Sequence, residues 1–399
     1  MLKNVSWLLF ASVLGQLIQF IMQPLLANVY DLEAFRLFGE VISLATILVV
    51  FANFQLQTCI VLLDEEKRAA ALVVGLLWLF ACVFLGGVAS LLWFWLIDFS
   101  VDSIEKLLWV LPAILVIGSA NLISGYYSGT GVFHVSAKFN FARAIFVPSG
   151  QFFLGASFKH SGLLIGYLLG EGLVRLVFYK TYYRWALRKV KETAKCIWFE
   201  YRKFCIAGTV QESVSVLVLM TPLYFFSTEF GSVVGGGYAF AFKISWAPSV
   251  LIATSVSAVL FKVLADSRGS FDFGFLKNLF QAAIVFFVVW GGYAFVLIPV
   301  LELVLEKKWL ESIGMVSVIS VWVSAYLASL KIRQMYRVYG LQLWQLAVEV
   351  FVFVIVLTVF KTADGWREAL YLSTAVGVVQ NIAIFLLFFV AVKNGNLKT

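Results

Sequence analysis

Charged residues, histidine, cysteine and proline are all scarce in this chain. Charged side chains make up 13% of its 399 positions, against about 25% in soluble domains, and a water-facing surface cannot be built from so few. The two histidines, His134 and His160, fall in different loops. Cys59, Cys82, Cys196 and Cys205 are scattered, with no C-x-x-C spacing, so neither a disulfide nor a metal site is expected. The G-x-S-x-G, H-E-x-x-H and G-x-x-x-x-G-K-[ST] patterns are missing. Their absence argues against a hydrolase elbow, a zinc protease and a P-loop ATPase. The chain reads as a non-enzyme without a cofactor. A cleavable signal is not expected either, because Met1, Leu2 and Lys3 lead straight into a long apolar run that lacks a small-residue cleavage motif.

What is abundant is hydrophobic sequence, at 62%. A bilayer's hydrocarbon core of about 30 Å takes about 20 apolar residues to cross as a helix. Twelve stretches meet that length, at roughly 5–28, 38–62, 70–97, 107–127, 141–158, 161–182, 204–227, 232–261, 276–299, 310–330, 341–360 and 369–392. The expected fold is all-α, a polytopic membrane protein of about 12 transmembrane helices in two six-helix bundles. Numbering the loops alternately puts 21 of the 30 Lys and Arg on one side and 7 on the other, with Arg175 and Lys243 inside spans. By the positive-inside rule the richer side is cytoplasmic and holds both termini. The net charge of +8 therefore reflects membrane orientation and anionic lipid headgroups, and no nucleic-acid partner is expected.

The loops are short except for 180–203, which carries eight Lys and Arg, among them Lys180, Arg188, Lys195 and Lys203. It divides the chain into an N-terminal six-helix bundle (1–182), a basic cytoplasmic linker (183–203) and a C-terminal six-helix bundle (204–399). A sparse internal repeat fits this division. Pro24 is followed fifteen positions later by Gly39, and Pro222 by Gly237, each pair bracketing a turn with an acid and a Phe. Parallel repeats of this kind place a substrate route between the halves near the bilayer midplane.

Polar residues inside the spans are the candidate site. A charge at the bilayer centre costs about 3 kcal/mol on insertion scales, so it tends to face a bundle interior or a wet cavity. Gln16, Gln19 and Gln23 share one helical face, as do Gln342, Gln345 and Glu349; interhelical hydrogen bonding and cavity lining fit both sets. Arg143 opens the fifth span with Gln151 two turns deeper, and snorkelling to the interface is the plain alternative for Arg143. Glu171 and Arg175, four apart, are placed to pair along their helix. Glu212 and Lys243 have no local partner, so they either neutralise each other or serve cargo or a coupling ion. The cations in or near the spans are Arg143, Arg175 and Lys243. Glu171, Glu212 and Glu349 are the candidates for ion coupling.

Several segments carry a family likeness. Gln19-Phe20-Ile21-Met22-Gln23-Pro24-Leu25-Leu26-Ala27 leads into Tyr30-Asp31-Leu32-Glu33-Ala34-Phe35, and the second span closes on Leu56-Gln57-Thr58-Cys59. Phe230-Gly231, Gly237 to Lys243 and Pro248 follow in the second half, with Lys307-Lys308-Trp309 before the tenth span. The pattern resembles bacterial polysaccharide and O-antigen flippases of the multidrug/oligosaccharidyl-lipid/polysaccharide superfamily. Arg36 stands where members often have Gly, and Gln57 and Thr58 where they often have an acid. The resemblance implies a carrier in the bacterial inner membrane that flips an undecaprenyl-pyrophosphate-linked oligosaccharide by alternating access, with Arg143, Arg175 and Lys243 as the substrate-binding cations that shelter its pyrophosphate in a wet cleft. Its partners would be that lipid-linked oligosaccharide, membrane lipids and other polysaccharide-assembly proteins. An ion-coupled multidrug exporter of the same superfamily and, in a different class, a membrane glycan polymerase or ligase are the alternatives. The short outer loops argue against the enzyme.

Overall fold

The computed structural model describes residues 2–96, 101–155, 157–178, 189–266 and 274–393. These are helical almost throughout, with no strand among them. In chain order the helices are α1 Leu2–Val29, α2 Leu32–Asn53, α3 Leu56–Leu62, α4 Glu65–Leu96, α5 Val101–Thr130, α6 Phe133–Gly155 and α7 Gly162–Phe178. The second half has α8 Val190–Glu200, α9 Arg202–Glu229, α10 Gly231–Asp266 and α11 Phe275–Gly292, which passes through a π turn (Tyr293–Leu297) into α12 Ile298–Val304. After a 3₁₀ turn at Lys307–Trp309 come α13 Leu310–Val338, α14 Gln342–Thr362 and α15 Trp366–Lys393. With α2–α3 and α11–α12 each read as one crossing, this is the expected polytopic chain of twelve spans. Its outer surface is that of a membrane protein: Leu303 is 86% exposed and Leu276 77%, side chains that only lipid solvates without penalty.

Three departures from the sequence reading have physical causes. The second span is not continuous. Phe54 (φ 47°) and Gln55 (φ 56°) are both left-handed, a conformation that costs a residue with a Cβ about 1–2 kcal/mol, and α3 starts anew beyond them. The tenth span runs to Val338 rather than ending near residue 330, because Arg333 is neutralised inside the bundle. In the linker, residues 179–188 lie outside the described set, but α8 is an amphipathic helix. It buries Thr193, Cys196 and Ile197, leaves Trp198 and Phe199 exposed and packs on α4. An aromatic pair beside lysines suits a bilayer's headgroup level.

Helices α1–α7 form one bundle, with α6 between α1 and α7 and with α5 against α2, α3 and α4. Helices α9–α15 form the second, with α13 at its centre against α10, α11 and α15. The bundles meet mainly through α2 on α9 and α10, and α1 on α10. Small residues permit the approach, as at interfaces between membrane helices. A Cβ on Gly39 would stand 2.8 Å from that of Ala239, and one on Gly236 would collide with the Leu32 backbone. At this aromatic end of the interface Phe35 packs edge-on to Phe240 (5.2 Å) and Trp309 (5.4 Å). At the opposite, linker end, where α8 lies, the halves touch through Gln55, whose amide donates to Glu212, and through the thiols of Cys59 and Cys205.

The thiol contact gives a direct check. In a Cys82→Ser, Cys196→Ser background with a protease site engineered between the halves, mild oxidation should keep the two fragments joined on a non-reducing gel. Fragments that run apart after oxidation would contradict this packing of α3 on α9.

Candidate functional site

Two clusters of charge occupy the interior, one in each bundle. In the first, Arg143 of α6 and Arg175 of α7 share a single carboxylate. Arg143 donates to both Glu171 oxygens (2.9 Å from Nε, 2.5 Å from Nη2), and Arg175 Nη1 lies 3.0 Å from Oε2. Arg175 also donates to Ser119 Oγ (2.7 Å) and to the Val116 carbonyl on α5. Three helices are thereby tied together, and the Glu171 side chain is only 2% exposed. Two guanidiniums on one carboxylate leave one positive charge over.

Lys243, on α10 of the other bundle, points into the same region. Its ammonium donates to Gln151 Oε1 on α6 (3.1 Å) and lies 4.7 Å from the ring centre of Phe38 and 5.6 Å from that of Phe35. Among the described residues no carboxylate stands within ion-pair distance of it. Cation–π contacts give about 2 kcal/mol when desolvated, and the ammonium has three donors, one of which goes to Gln151. Two further hydrogen bonds hold Gln151 in place to accept it. Gln151 Nε2 donates to the Leu163 carbonyl (2.8 Å), while the Gln151 backbone carbonyl accepts from the Tyr30 hydroxyl (2.6 Å). Tyr167 bridges the two parts, packing edge-on to Phe38 at 5.8 Å and bonding Arg143. The region thus carries more positive than negative charge and is walled by aromatic rings.

The second cluster lies within the C-terminal bundle. Arg333 Nη1 pairs with Glu349 (3.1 Å), which also accepts from Gln345 (2.8 Å) and from Gln211 on α9 (2.8 Å). Arg333 further donates to Ser329 (3.1 Å) and to Asn381 on α15 (3.0 Å). One turn along, Arg337 Nη2 is 3.4 Å from Glu212, the acceptor of Gln55. A cavity of about 130 Å³ opens beside these groups, walled by Trp246, Trp322 and Tyr326.

Of the residues singled out in the sequence, the structure brings Arg143, Glu171 and Arg175 together, places Gln151 against Lys243, and joins Gln345 to Glu349. Glu212 and Lys243 do not neutralise each other; each finds a partner elsewhere. All three carboxylates considered for ion coupling are held by guanidinium groups. Gln23 is buried with Oε1 unpartnered, Gln342 is buried, and Gln19 is half-buried; the Gln16 side chain lies outside the described set. Sequence reasoning missed Arg333 and Arg337, which it counted among the loop charges. Their i, i+4 spacing on the face that carries Ser329 was the available signal. It also missed Glu40, 1% exposed, which is clamped between Arg36 (2.6 Å) and Lys106 (2.7 Å) at the aromatic end.

Two six-helix bundles meet along α1, α2, α9 and α10, each with a charged interior, and this fold is shared with solved membrane transporters. The chain superposes on the lipid II flippase MurJ in an inward closed conformation with a TM-score of 0.68 at 14% identity, covering 95% of this chain and 87% of that one. It also matches an outward-facing multidrug-resistance MATE transporter (0.64, 15% identity, 98% and 96% covered) and the Vibrio cholerae MATE transporter VcmN (0.60, 11%, 99% and 98%). A search of curated proteins finds no match. The family model described as polysaccharide biosynthesis protein matches residues 1–267, more than half of the sequence, and the chain belongs to that family.

Removing one partner of a buried ion pair costs about 3–5 kcal/mol, because the other charge is stranded. Glu171→Ala strands two guanidiniums and Arg143→Leu strands none, since Arg175 keeps the carboxylate. Thermal unfolding of the purified protein should therefore show Glu171→Ala melting well below Arg143→Leu. Equal melting temperatures would exclude a shared-carboxylate role for Glu171.

Proposed function

We propose that the protein flips an undecaprenyl-pyrophosphate-linked oligosaccharide repeat unit across the bacterial cytoplasmic membrane, for surface polysaccharide such as O-antigen, capsule or exopolysaccharide. The observation that carries this reading is Lys243, a cation reaching from one bundle to the other, held by an amide and two aromatic rings rather than by a carboxylate. A pyrophosphate cannot cross hydrocarbon without compensation. An ammonium with donors to spare, beside an arginine–glutamate–arginine group with one positive charge over, supplies that compensation. The polysaccharide biosynthesis family and the fold shared with a lipid II flippase support the same cargo class. In this reading the linker end is cytoplasmic, both termini are cytoplasmic, and lipid-linked cargo is loaded where Gln55 meets Glu212. Rocking of the bundles about α2 and α10 then exchanges that contact for an opening between Phe35 and Phe240.

The rival is drug export, which the MATE likeness favours. A cationic drug needs free carboxylates, and here Glu171, Glu212 and Glu349 are all engaged by arginines.

Deleting the gene should leave an unpolymerised lipid-linked repeat on the inner leaflet and deplete the surface polymer. Unchanged lipid-linked sugars together with altered drug tolerance would favour the exporter. Lys243→Ala, at normal membrane abundance, should lower surface polymer about tenfold or more, a loss of about 1.4 kcal/mol or above, with partial recovery in Lys243→Arg. A wild-type polymer level in Lys243→Ala would remove this residue from the cargo site. A reporter fused after Lys195 should read as cytoplasmic, and a periplasmic signal there would reverse the orientation.

A further inference from the structure

The cavity in the C-terminal bundle is not explained by pyrophosphate binding, because its charge balances. Arg333 and Arg337 face Glu349 and Glu212, two guanidiniums against two carboxylates. An anion gains nothing there over water. The cavity instead combines an aromatic corner with polar groups. Trp246 packs edge-on to Trp322 (5.5 Å) and to Tyr326 (5.1 Å), and Gln334, Gln345 and Gln380 complete the wall.

Two of the lining residues carry buried atoms without a partner. Trp246 Nε1 is a donor with no acceptor, and Gln345 Oε1 is an acceptor with no donor. Leaving such a group unpaired costs about 1–3 kcal/mol. Both atoms lie just beneath the cavity surface, and a guest that both accepts and donates, as a hydroxyl does, would satisfy them once the two side chains turn toward it. Its volume of about 130 Å³ is far beyond the roughly 10–15 Å³ that a single water requires. Aromatic faces suit the C–H faces of a pyranose, and converging amides suit its hydroxyls.

The location of the cavity points the same way. Trp246 lies one turn beyond Lys243 on α10, and the Glu212 wall reaches Gln55 of the opposite bundle. The cavity therefore adjoins the region of excess positive charge without sharing it.

We propose that this cavity is a carbohydrate subsite. It takes an uncharged, hydroxyl-bearing sugar of the cargo while the phosphates sit at Lys243. The assignment rests on the transport reading for the identity of the cargo, but sugar binding itself is separable from transport.

The test uses full-length protein in lipid nanodiscs, free of sugar-headed detergent. The probes are inorganic pyrophosphate and a phosphate-free repeat-unit oligosaccharide cut from the host's own surface polysaccharide. Saturation-transfer NMR gives a dissociation constant for each. Trp246→Phe, which deletes the N–H and keeps a ring, should weaken the oligosaccharide about tenfold, the net worth of one hydrogen bond, and leave pyrophosphate unchanged. Lys243→Ala should do the reverse. Gln380→Ala, on the same wall, serves as a second variant should Trp246→Phe fail to fold. The proposal is overturned if wild-type protein does not bind the oligosaccharide, if the wall variants bind it as wild type does, or if pyrophosphate displaces it. Oligosaccharide binding that persists while gene deletion leaves lipid-linked sugars untouched would keep the subsite and sink the transport reading.

Discussion

Everything in this molecule turns on how a positive charge is kept inside hydrocarbon. The protein answers in two ways. Arg143, Arg175 and Arg333 are compensated by buried carboxylates and by carbonyl or hydroxyl acceptors, which turns a liability into a tie between helices. Lys243 is treated differently. Its neighbours stabilise a cation without cancelling it, so its field remains available to something else. Arginine suits the first role because its planar fork engages several acceptors at once, and lysine suits the second because its ammonium is a compact point charge.

The surfaces on which the bundles meet divide along the same line between apolar and charged contact. At the aromatic end the contact is made by Phe35, Phe240, Trp309 and close-packed glycines, and among the described residues no ion pair crosses it. At the linker end it is made by Gln55, Glu212 and Arg337. The two left-handed residues between α2 and α3 place Gln55 at this contact while α2 itself runs unbroken from Leu32 to Asn53 against α9 and α10. A contact carried on a helix break can be released without bending a long helix.

Much of this was legible in the sequence. Twelve spans followed from hydrophobic length alone, and the local pair Glu171–Arg175 followed from helical spacing. The hidden part has identifiable reasons. Hydropathy cut the tenth span short because Arg333 and Arg337 look too polar for it, and only the tertiary fold shows that Glu349 and Glu212 neutralise them. The break after Asn53 carries neither glycine nor proline, so nothing local announces it. Gln55 and Glu212 are 157 positions apart, and Gln151 and Lys243 are 92 apart, distances over which no periodicity speaks. Gly39 and Gly237 occupy matching places in the two halves yet do different work: the first lets the bundles approach each other, while the second lies under Ser312 within its own bundle.

The unlike chemistry of the two closures has a thermal consequence. Rings that part into a water-filled cleft lose a hydrophobic attraction, and that attraction weakens as water is cooled. The contact that crosses at the other end is a single amide on a carboxylate, with little apolar area for this effect to act on. In the rocking scheme proposed above, chilling the membrane biases the resting population toward the form whose aromatic end gapes and heating holds that end shut, which makes the access equilibrium a function of growth temperature.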